Sequence, residues 1–283
     1  MKPLIIGATG NIGKRLVNDL LAMEIRPTVG VRDPEKARGI FYDRVDYRYF
    51  DFEDKESISR VPRGIDRIFF IAPHDDPLPS VEFLLEAAGR EGVNRMVFSS
   101  GRTTGDIEGK PLYRIEQSLR ASDLKWTILR PGWFMQNFTG WIGETISEED
   151  RFYLPAGDAK TAFIDVRDIG MVAARCLVEE EHEGKTYGLT SEEAYDHHQV
   201  AEMIGHAVGR EIEYVPMEPE AYIEKKVDEG WSRKQAEHTA ELYKYVRQGK
   251  EEEVSPHVRQ VLGRPPISLE NFIRDYRELF LEL

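Results

Sequence analysis

The sequence predicts an α/β protein built on a doubly wound parallel sheet. Short apolar runs rich in β-branched residues alternate with helix-length amphipathic segments from the N-terminus to about residue 130. A glycine-rich turn follows the first apolar run and opens the first amphipathic segment, which is the order strand, turn and helix. Beyond Pro131 the alternation gives way to longer helical stretches. These three observations favour a sheet covered by helices on both faces, followed by a mainly helical part.

Six strands are predicted in the first half, each a short and mostly apolar run. They are Leu4 to Ile6, Thr28 to Val31, Val45 to Phe50, Ile68 to Ile71, Met96 to Ser99 and Trp126 to Leu129. Between strands, apolar residues recur at intervals of three and four, as in Ile12, Leu16 and Leu20 and again in Val81, Leu84 and Ala88. That spacing predicts helices with one face against the sheet.

The second half contains fewer strand candidates. They are Ala162 to Ile164, Thr186 to Leu189 and Ile212 to Val215, and almost all of Pro219 to Leu283 is predicted to be helical. We therefore expect a nucleotide-binding domain over residues 1–150 and a mainly helical part over residues 151–283. The second part is expected to cover the ligand-binding edge of the sheet and to return some of its strands to that sheet.

Composition narrows the class of protein. The 283 residues carry 38 lysines and arginines against 51 acidic residues, a net charge of −13 that disfavours nucleic-acid binding as the main activity. No apolar stretch reaches the roughly 18 residues of a membrane span, so we expect no membrane insertion and a cytoplasmic location. The single cysteine, Cys176, lies in an apolar helical run and is interpreted as a core residue.

The glycines after the first strand are Gly7, Gly10 and Gly13. Free backbone N–H groups and the positive dipole end of the following helix favour binding of a pyrophosphate at this point. In such a turn Gly7 permits the tight bend, Gly10 lets the backbone approach a phosphate, and Gly13 lets the helix pack closely on the sheet. A tight turn without a ligand is the less favoured interpretation.

The second predicted strand ends in Val31-Arg32-Asp33-Pro34. An acidic side chain about 20 residues after the glycines contacts the ribose hydroxyls of NAD in dinucleotide-binding folds. Asp33 precedes a proline and is predicted to cap a helix, which leaves Arg32 for the ribose. Because a guanidinium binds a 2′-phosphate by charge-assisted hydrogen bonds, NADP(H) is favoured over NAD(H). The alternative is a surface arginine paired with Glu35.

Five segments carry a resemblance to a known family. They are Gly7 to Gly13, Val31 to Pro34, Phe98 to Gly101, Thr127 to Asn137 and Phe163 to Ile169. Through them the chain resembles, nearly end to end, the NmrA-like group of atypical short-chain dehydrogenase/reductases, particularly its quinone-oxidoreductase-like and triphenylmethane-reductase-like branch. The resemblance implies an NAD(P)-binding Rossmann domain and a smaller, mainly helical substrate-binding part.

The resemblance also implies a cofactor path across the carboxyl ends of the strands. By this resemblance we expect each part of the cofactor to meet one group of residues: the pyrophosphate Thr9, Gly10, Asn11 and Ile12, the ribose phosphate Arg32, the adenine side Asp51 and Phe52, the nicotinamide-side ribose and phosphate Ala72 and Pro73, and the nicotinamide Ser99 and Pro131 to Phe134. Open α/β sheets bind ligands at this same edge, so the position of the path also follows from the fold.

Catalytic residues of the wider superfamily are only partly present. Short-chain dehydrogenases pair a tyrosine with a lysine four residues later, whereas Tyr113 is followed at that spacing by Gln117. Glutamine can hydrogen-bond a ribose but carries no charge to activate the phenol. Gly101 stands where the resemblance places the catalytic serine, with Ser99 and Ser100 nearer the strand. Alcohol dehydrogenation by the standard triad is therefore disfavoured, and Tyr113 stays a candidate only.

Acceptor-binding candidates follow the sixth strand. Trp133 and Phe134 are candidates for a stacking wall against a flat acceptor, with core packing as the alternative. Asn137 is a candidate for orienting an acceptor carbonyl, or for capping the next helix. His74 follows Ala72 and Pro73 at the ligand edge and is a further candidate for a catalytic or pocket-lining role, with a plain turn residue as the alternative.

No metal site is predicted. The adjacent His197 and His198 point about 100° apart on a helix that Asp196 is predicted to cap, and they make poor joint ligands. Asp165 and Asp168 are interpreted as local capping and pairing groups before an apolar helix.

The sequence leaves three functions open. The leading one is an NADPH-dependent oxidoreductase that passes hydride to a small conjugated acceptor such as a quinone. The second is a non-enzymatic sensor of NADP(H) that acts through a protein partner. The third is a reductase of an imine or iminium intermediate in a biosynthetic pathway. The identity of the acceptor and the oligomeric state are not predicted.

Overall fold

The computed structural model describes residues 1–73 and 77–281. The strands are β1 (Pro3–Ile6), β2 (Thr28–Val31), β3 (Asp46–Tyr49), β4 (Arg67–Ile71), β5 (Arg95–Ser99), β6 (Lys125–Pro131), β7 (Arg151–Leu154), β8 (Lys185–Leu189) and β9 (Glu213–Pro216). The α-helices are α1 (Asn11–Ala22), α2 (Pro34–Phe41), α3 (Lys55–Arg60), α4 (Leu78–Arg90), α5 (Pro111–Ala121), α6 (Gly143–Glu149), α7 (Val166–Val178), α8 (His197–Val208), α9 (Pro219–Asp228), α10 (Arg233–Arg247), α11 (His257–Leu262) and α12 (Leu269–Asp275). No helix of these described residues is both long and apolar enough to cross a membrane.

The chain forms two compact units that alternate along the sequence. The first contains Met1–Pro131, Val166–Leu189 and His257–Gly263, and the second contains Gly132–Asp165, Thr190–Pro256 and Arg264–Leu283. The chain therefore leaves the first unit after Pro131 and returns to it twice, whereas we expected one boundary near residue 150. The physical reason for the first return is that β8 pairs with β6.

The first unit is a seven-stranded parallel sheet in the order β3-β2-β1-β4-β5-β6-β8. All six strands predicted in the first half are present, with some ends shifted by one or two residues. The chain starts in the middle of the sheet, builds outward through β2 and β3, and then crosses back to place β4 on the other side of β1. This reversal opens a crevice at the carboxyl ends of β1 and β4, where open α/β sheets bind ligands.

Helices of the first unit bury the sheet on both faces. On one face α1 packs against α7, which also contacts β4, β5 and β6. On the other, α3, α4 and α5 pack in sequence over a cluster that includes Ile68, Phe70 and Phe98. Cys176 is fully buried in α7, and burial raises the pKa of its thiol, which confirms it as a core residue.

The second unit is mainly helical around a small sheet. β7 and β9 form a parallel pair, with α6 packed on β7 and α8 on β9. Its core includes Phe138, Phe152 and Phe272. The sequence did not predict the four-residue β7. The predicted strand over Ala162 to Ile164 is absent, because Thr161 and Ile164 make only isolated bridges and no continuous ladder.

Candidate functional site

The turn between β1 and α1 has the geometry that its glycines predict. Gly7 adopts a φ of +87°, a conformation that favours glycine, and its carbonyl accepts a 3.1 Å hydrogen bond from the Gly10 N–H. A Cβ built on Gly13 lies 2.2 Å from the Gly7 oxygen and 2.6 Å from the Ala8 Cα. No side chain fits there, so α1 touches the turn backbone directly.

The start of α1 leaves three backbone donors without a partner within the helix. Gly10 is the N-cap and offers no side-chain oxygen, and the first backbone hydrogen bond of the helix is donated by Lys14 to the Gly10 carbonyl. The N–H groups of Asn11, Ile12 and Gly13 precede that bond, and Thr9 and Asn11 are exposed. A Cβ on Gly10 meets no atom closer than 3.5 Å, so the space beside this residue is open. The turn fits a pyrophosphate held by backbone N–H groups.

The end of β2 separates the roles of two neighbouring residues. Asp33 is the N-cap of α2, and its Oδ1 accepts a 2.9 Å hydrogen bond from the Lys36 N–H. Glu35 pairs with Arg38 at 3.3 Å and not with Arg32, which contradicts the surface-pair alternative. Arg32 is exposed, and within residues 1–73 and 77–281 its guanidinium has no hydrogen bond or ion pair. The carboxylate is thus used within the helix cap and the guanidinium is available.

The residues after β3 and β4 are the candidates for the adenine side and for the centre of this edge. The Asp51 Oδ1 accepts a 3.0 Å hydrogen bond from the Glu53 N–H, and the half-buried Phe52 packs edge-on against Phe50 with ring centroids 4.8 Å apart. Ala72 directly follows β4 and is buried. The predicted Pro73 is exposed beside it.

The ends of the neighbouring strands β1 and β4 lie close together. A Cβ on Gly7 lies 3.3 Å from the Ile71 Cβ, so the glycine turn sits directly over the end of β4. The candidate His74 lies outside the described residues.

The ends of β5 and β6 are joined by backbone hydrogen bonds. Ser99 is the last residue of β5 and is buried, and the Ser100 N–H donates to the Leu129 carbonyl at 2.8 Å. The carbonyl of Pro131, the last residue of β6, accepts a 3.1 Å hydrogen bond from the Arg102 N–H. These hydrogen bonds extend the pairing of the two segments beyond the carboxyl end of β5.

Helix α5 carries the remaining candidates, Tyr113 and Gln117. Tyr113 is half-buried and Gln117 is exposed, and the Tyr113 hydroxyl has no hydrogen-bond partner in the part of the chain that the structure describes. Within that part, the Tyr113 side chain therefore has neither a hydrogen bond nor an ion pair with a cation.

A charged network beside Tyr113 was not predicted from the sequence. Glu116 is fully buried, and its Oε1 accepts hydrogen bonds from the Ser100 hydroxyl at 2.7 Å and from Arg130 Nε at 2.9 Å. Its Oε2 accepts from Arg130 Nη2 at 2.8 Å and Arg120 Nη2 at 3.2 Å. Burial lowers the pKa of Arg130, but its bonds to Glu116 and Asp106 outweigh that effect and hold it above the ordinary value. Such a buried carboxylate is stable because every lone-pair direction has a donor.

The loop after β6 carries the acceptor candidates within the second unit. The Trp133 carbonyl accepts a 2.8 Å hydrogen bond from the Ile164 N–H, and Met135 N–H donates to the Ile164 carbonyl at 2.9 Å, on either side of Phe134. The Trp133 ring lies 4.4 Å from the Tyr243 ring with an interplanar angle of 32°. Both Trp133 and Phe134 are half-buried, so part of each ring faces outward.

Asn137 does not cap the helix that follows. The N-cap of α6 is Ile142, and the Asn137 backbone carbonyl accepts from the Gly140 and Ile142 N–H groups. The Asn137 side chain is half-buried and makes no hydrogen bond among residues 1–73 and 77–281, so the amide is available to a ligand. The capping alternative is therefore wrong.

The two adjacent histidines of α8 differ in burial. His197 is fully buried among aromatic rings, including Phe163 and Tyr214 at centroid distances of 5.7 and 5.2 Å, and burial lowers its pKa to about 3. It is a neutral core ring. His198 is exposed and lies 3.5 Å from Asp158. Asp196 caps α8 with a capping box, as predicted.

One further group in the described residues offers atoms of metal-ligand type within 4.8 Å of one another: Glu179, Glu181 and His182. Both ring nitrogens of His182 already have partners, the Tyr187 hydroxyl at 2.9 Å and Glu179 at 3.0 Å. We assign no metal to this group.

Comparison with known proteins identifies the family. The family model described as the NmrA-like family matches residues 2–273. The chain belongs to the NmrA-like family. YesF, an uncharacterised oxidoreductase of Bacillus subtilis, is 31% identical over 95% of this chain and 93% of its own. An NAD(P)H azoreductase of Xenophilus azovorans is 29% identical over 98% of both chains.

Solved structures show the same fold. An NADPH-dependent quinone oxidoreductase from Escherichia coli superposes on this NmrA-like chain with a TM-score of 0.86 at 23% identity, covering 96% of this chain and 98% of the other. The predicted family and the predicted Rossmann-type sheet are both confirmed.

In this NmrA-like protein the first unit brings most of the candidate cofactor residues to the carboxyl edge of one sheet. The glycine turn, Arg32, Asp51, Ala72 and Ser99 follow or end five parallel strands. Glu116 is the residue that the sequence analysis missed. A signal was present, because Glu116 lies between the apolar Ile115 and Leu119 of α5, and a charge at such a position requires a partner.

Proposed function

We propose that this protein is an NADPH-dependent reductase that passes hydride to a small, flat, conjugated acceptor such as a quinone. The observation that carries the proposal is Arg32, an exposed guanidinium without a partner in the described residues, placed at the end of β2 where the ribose of a dinucleotide lies. Relatives that match nearly the whole chain are named as oxidoreductases, which supports a reductase.

Residues of the first unit would hold NADPH along the sheet edge. The N–H groups at the start of α1 fit the pyrophosphate, and Arg32 fits the 2′-phosphate through two parallel hydrogen bonds. Asp51 and Phe52 would border the adenine, Ala72 and Pro73 the nicotinamide-side ribose, Gln117 the ribose hydroxyls, and Ser99 and Pro131 the nicotinamide. When bound, NADPH supplies the hydride.

In this proposal the protein orients the acceptor against the nicotinamide and does not supply a catalytic acid. Among the described residues no hydrogen-bond partner or ion-paired cation contacts the Tyr113 hydroxyl, so none of them activates the phenol as a catalytic acid. A quinone accepts hydride without a strong acid beside it, because the charge is delocalised over the ring. Orientation of the acceptor against the nicotinamide then supplies much of the rate.

Trp133 and Phe134 are proposed to provide the surface on which the acceptor stacks. Tyr243 supports the Trp133 ring from within the second unit, and the bridge to Ile164 fixes the backbone beside Phe134. The Asn137 amide is proposed to hydrogen-bond an acceptor carbonyl. The related azoreductase and the quinone oxidoreductase of the same fold are named for conjugated acceptors, which agrees with an aromatic surface.

The test is NADPH oxidation with a panel of quinones, azo dyes, cationic triphenylmethane dyes and imines, beside a no-acceptor control and a nucleotide titration on the same preparation. We expect sustained turnover of about 1 s⁻¹ or more with at least one quinone. Preference for imines would move the substrate class to the third function that the sequence left open. Tight nucleotide binding with no turnover on any acceptor would contradict the reductase and favour a sensor that acts through a protein partner.

Tyr113→Phe should leave quinone reduction within about tenfold of the wild type, a change of at most about 1.4 kcal/mol in the barrier. The reason is that no strong proton donor is needed. The measurement is kcat with a saturating quinone, and Tyr49→Phe, at an exposed position of the edge strand β3, controls for loss of a hydroxyl. A fall of a thousandfold for Tyr113→Phe alone would make the phenol the catalytic acid.

Trp133→Leu should raise the KM for the acceptor about five- to tenfold, the value of one lost aromatic stack, and leave the KM for NADPH within twofold. Leucine keeps an apolar side chain against Tyr243. Trp126→Leu, at the opposite end of the strand that precedes Trp133, is the matched control. If the KM for NADPH rose more than that of the acceptor, Trp133 would belong to the cofactor site.

A further inference from the structure

Glu116 joins three segments of the first unit at one buried point. Its carboxylate is fully buried on α5 and accepts hydrogen bonds from Ser100, which follows β5, and from Arg130 in β6. Arg130 bonds to it through two parallel N–H groups, one to each carboxylate oxygen. This geometry fixes both the distance and the orientation of the helix relative to the two strands.

The loop between β5 and α5 closes over the same ion pair. Arg130 Nη2 donates to the Gly105 carbonyl at 2.9 Å, and Nη1 contacts Asp106 at 2.8 Å. A Cβ on Gly105 lies 2.4 Å from Glu116 Oε1 and 2.6 Å from Ser100 Oγ. The loop backbone therefore rests directly on the Ser100–Glu116 hydrogen bond, with no room for a side chain.

Gln117 is the next residue along α5 and is exposed, while its neighbour Glu116 is anchored. A rotation or translation of α5 that moved the Gln117 amide would have to break the two parallel hydrogen bonds between Arg130 and Glu116. The amide is neutral, and a hydrogen bond weakens steeply beyond about 3.2 Å or below about 120°. A lysine ammonium at this position would act over a longer range through its charge. Because Gln117 lacks that charge, its effect depends on accurate placement.

We propose that Glu116 is a positioning residue that holds the Gln117 amide against the nicotinamide-side ribose of bound NADPH. The proposal rests on the proposed function, since it requires that NADPH binds at this edge. The ion pair with Arg130 and the bond to Ser100 set the position of α5, and Gln117 makes the contact with the cofactor. Glu116 itself touches neither cofactor nor acceptor.

The experiment compares two ligands, NADPH and 2′,5′-ADP, which is the adenosine half of NADPH without the nicotinamide ribose. Dissociation constants are measured by calorimetry for the wild type, Glu116→Gln, Gln117→Ala and the double variant. Each single variant should weaken NADPH about fivefold, the effect of one hydrogen bond, and leave 2′,5′-ADP within twofold. The double variant should also lose about fivefold, because both substitutions remove the same contact.

A purely structural role predicts a different pattern. It would either change neither affinity or weaken both ligands equally, whereas a lower unfolding temperature of Glu116→Gln is expected in both cases because a buried ion pair is broken. Losses that multiply to about 25-fold in the double variant would show that Glu116 acts through another group. Either result overturns the proposal.

Two further variants provide a matched control and a substitute for Glu116→Gln. Glu82 accepts a 2.8 Å hydrogen bond from Ser118 of α5 but is exposed, so Glu82→Gln is the matched control and should change neither affinity. If Glu116→Gln does not fold, Arg130→Lys keeps the charge and removes the two-bond fork, and it should show the same selective loss of NADPH affinity. Equal affinities of Arg130→Lys and wild type for NADPH would overturn the proposal. A wild type that binds neither ligand contradicts the proposed function itself.

Discussion

Replacing Arg32 by alanine should weaken NADPH binding about 50-fold and change NADH binding less than threefold. The guanidinium is exposed at the end of β2 and has no hydrogen bond or ion pair in residues 1–73 and 77–281, so the substitution breaks no such bond there within the protein. The lost interaction is a pair of charge-assisted hydrogen bonds to a dianionic phosphate, worth about 2 to 3 kcal/mol. NADH carries no 2′-phosphate and has nothing to lose. The measurement is a titration of each nucleotide.

Lys36→Ala is the matched control for Arg32→Ala. Lys36 is exposed on α2 four residues later, and its backbone N–H, which bonds to the Asp33 cap, is unaffected by the substitution. It removes the same charge from a protein of net charge −13, so any general electrostatic effect on an anionic ligand appears in both variants. Equal losses for NADPH and NADH in Arg32→Ala would refute the 2′-phosphate assignment.

Local signals in the sequence were sufficient to predict the sheet and to place the candidate cofactor residues at its carboxyl edge. Each strand from β1 to β6 except the more polar edge strand β3 contains a short apolar run, and Gly7 to Gly13 stand directly between such a run and an amphipathic segment. The Asp33 cap and the exposed Arg32 also followed from adjacent residues, because a proline after an aspartate marks a helix start. Interactions between residues within about five positions of each other could therefore be predicted from the sequence pattern.

Contacts between distant residues were not predictable in the same way. Glu116 and Arg130 are 14 residues apart, and only the pairing of β5 with β6 brings them together. The alternation of the two units depends on β8 pairing with β6, which joins Lys185–Leu189 to a strand about 60 residues earlier. Several partners were equally compatible with the pattern of each segment, so the choice among them required the fold.

Gly13→Ala should destabilise the protein by about 3 kcal/mol and abolish detectable NADPH binding in the micromolar range. The added Cβ would lie 2.2 Å from the Gly7 oxygen and 2.6 Å from the Ala8 Cα, and both are backbone atoms that cannot rotate away. Relief of this overlap must separate α1 from the turn, at a cost typical of severe overpacking. The same shift moves the N–H groups that would hold the pyrophosphate. Thermal or urea unfolding and a nucleotide titration measure the two effects.

Gly10→Ala separates the two effects that Gly13→Ala combines. Gly10 has a φ of −80°, which alanine adopts freely, and its added Cβ would come no closer than 3.5 Å to the Gly7 oxygen. Stability should therefore stay within about 1 kcal/mol of the wild type, because the substitution adds no strain. Binding of NADPH should still fall at least tenfold, since the methyl group occupies the space through which a phosphate approaches the backbone. If Gly10→Ala binds NADPH as tightly as the wild type, the pyrophosphate does not lie on this turn. The loss of binding in Gly13→Ala would then be only a consequence of unfolding.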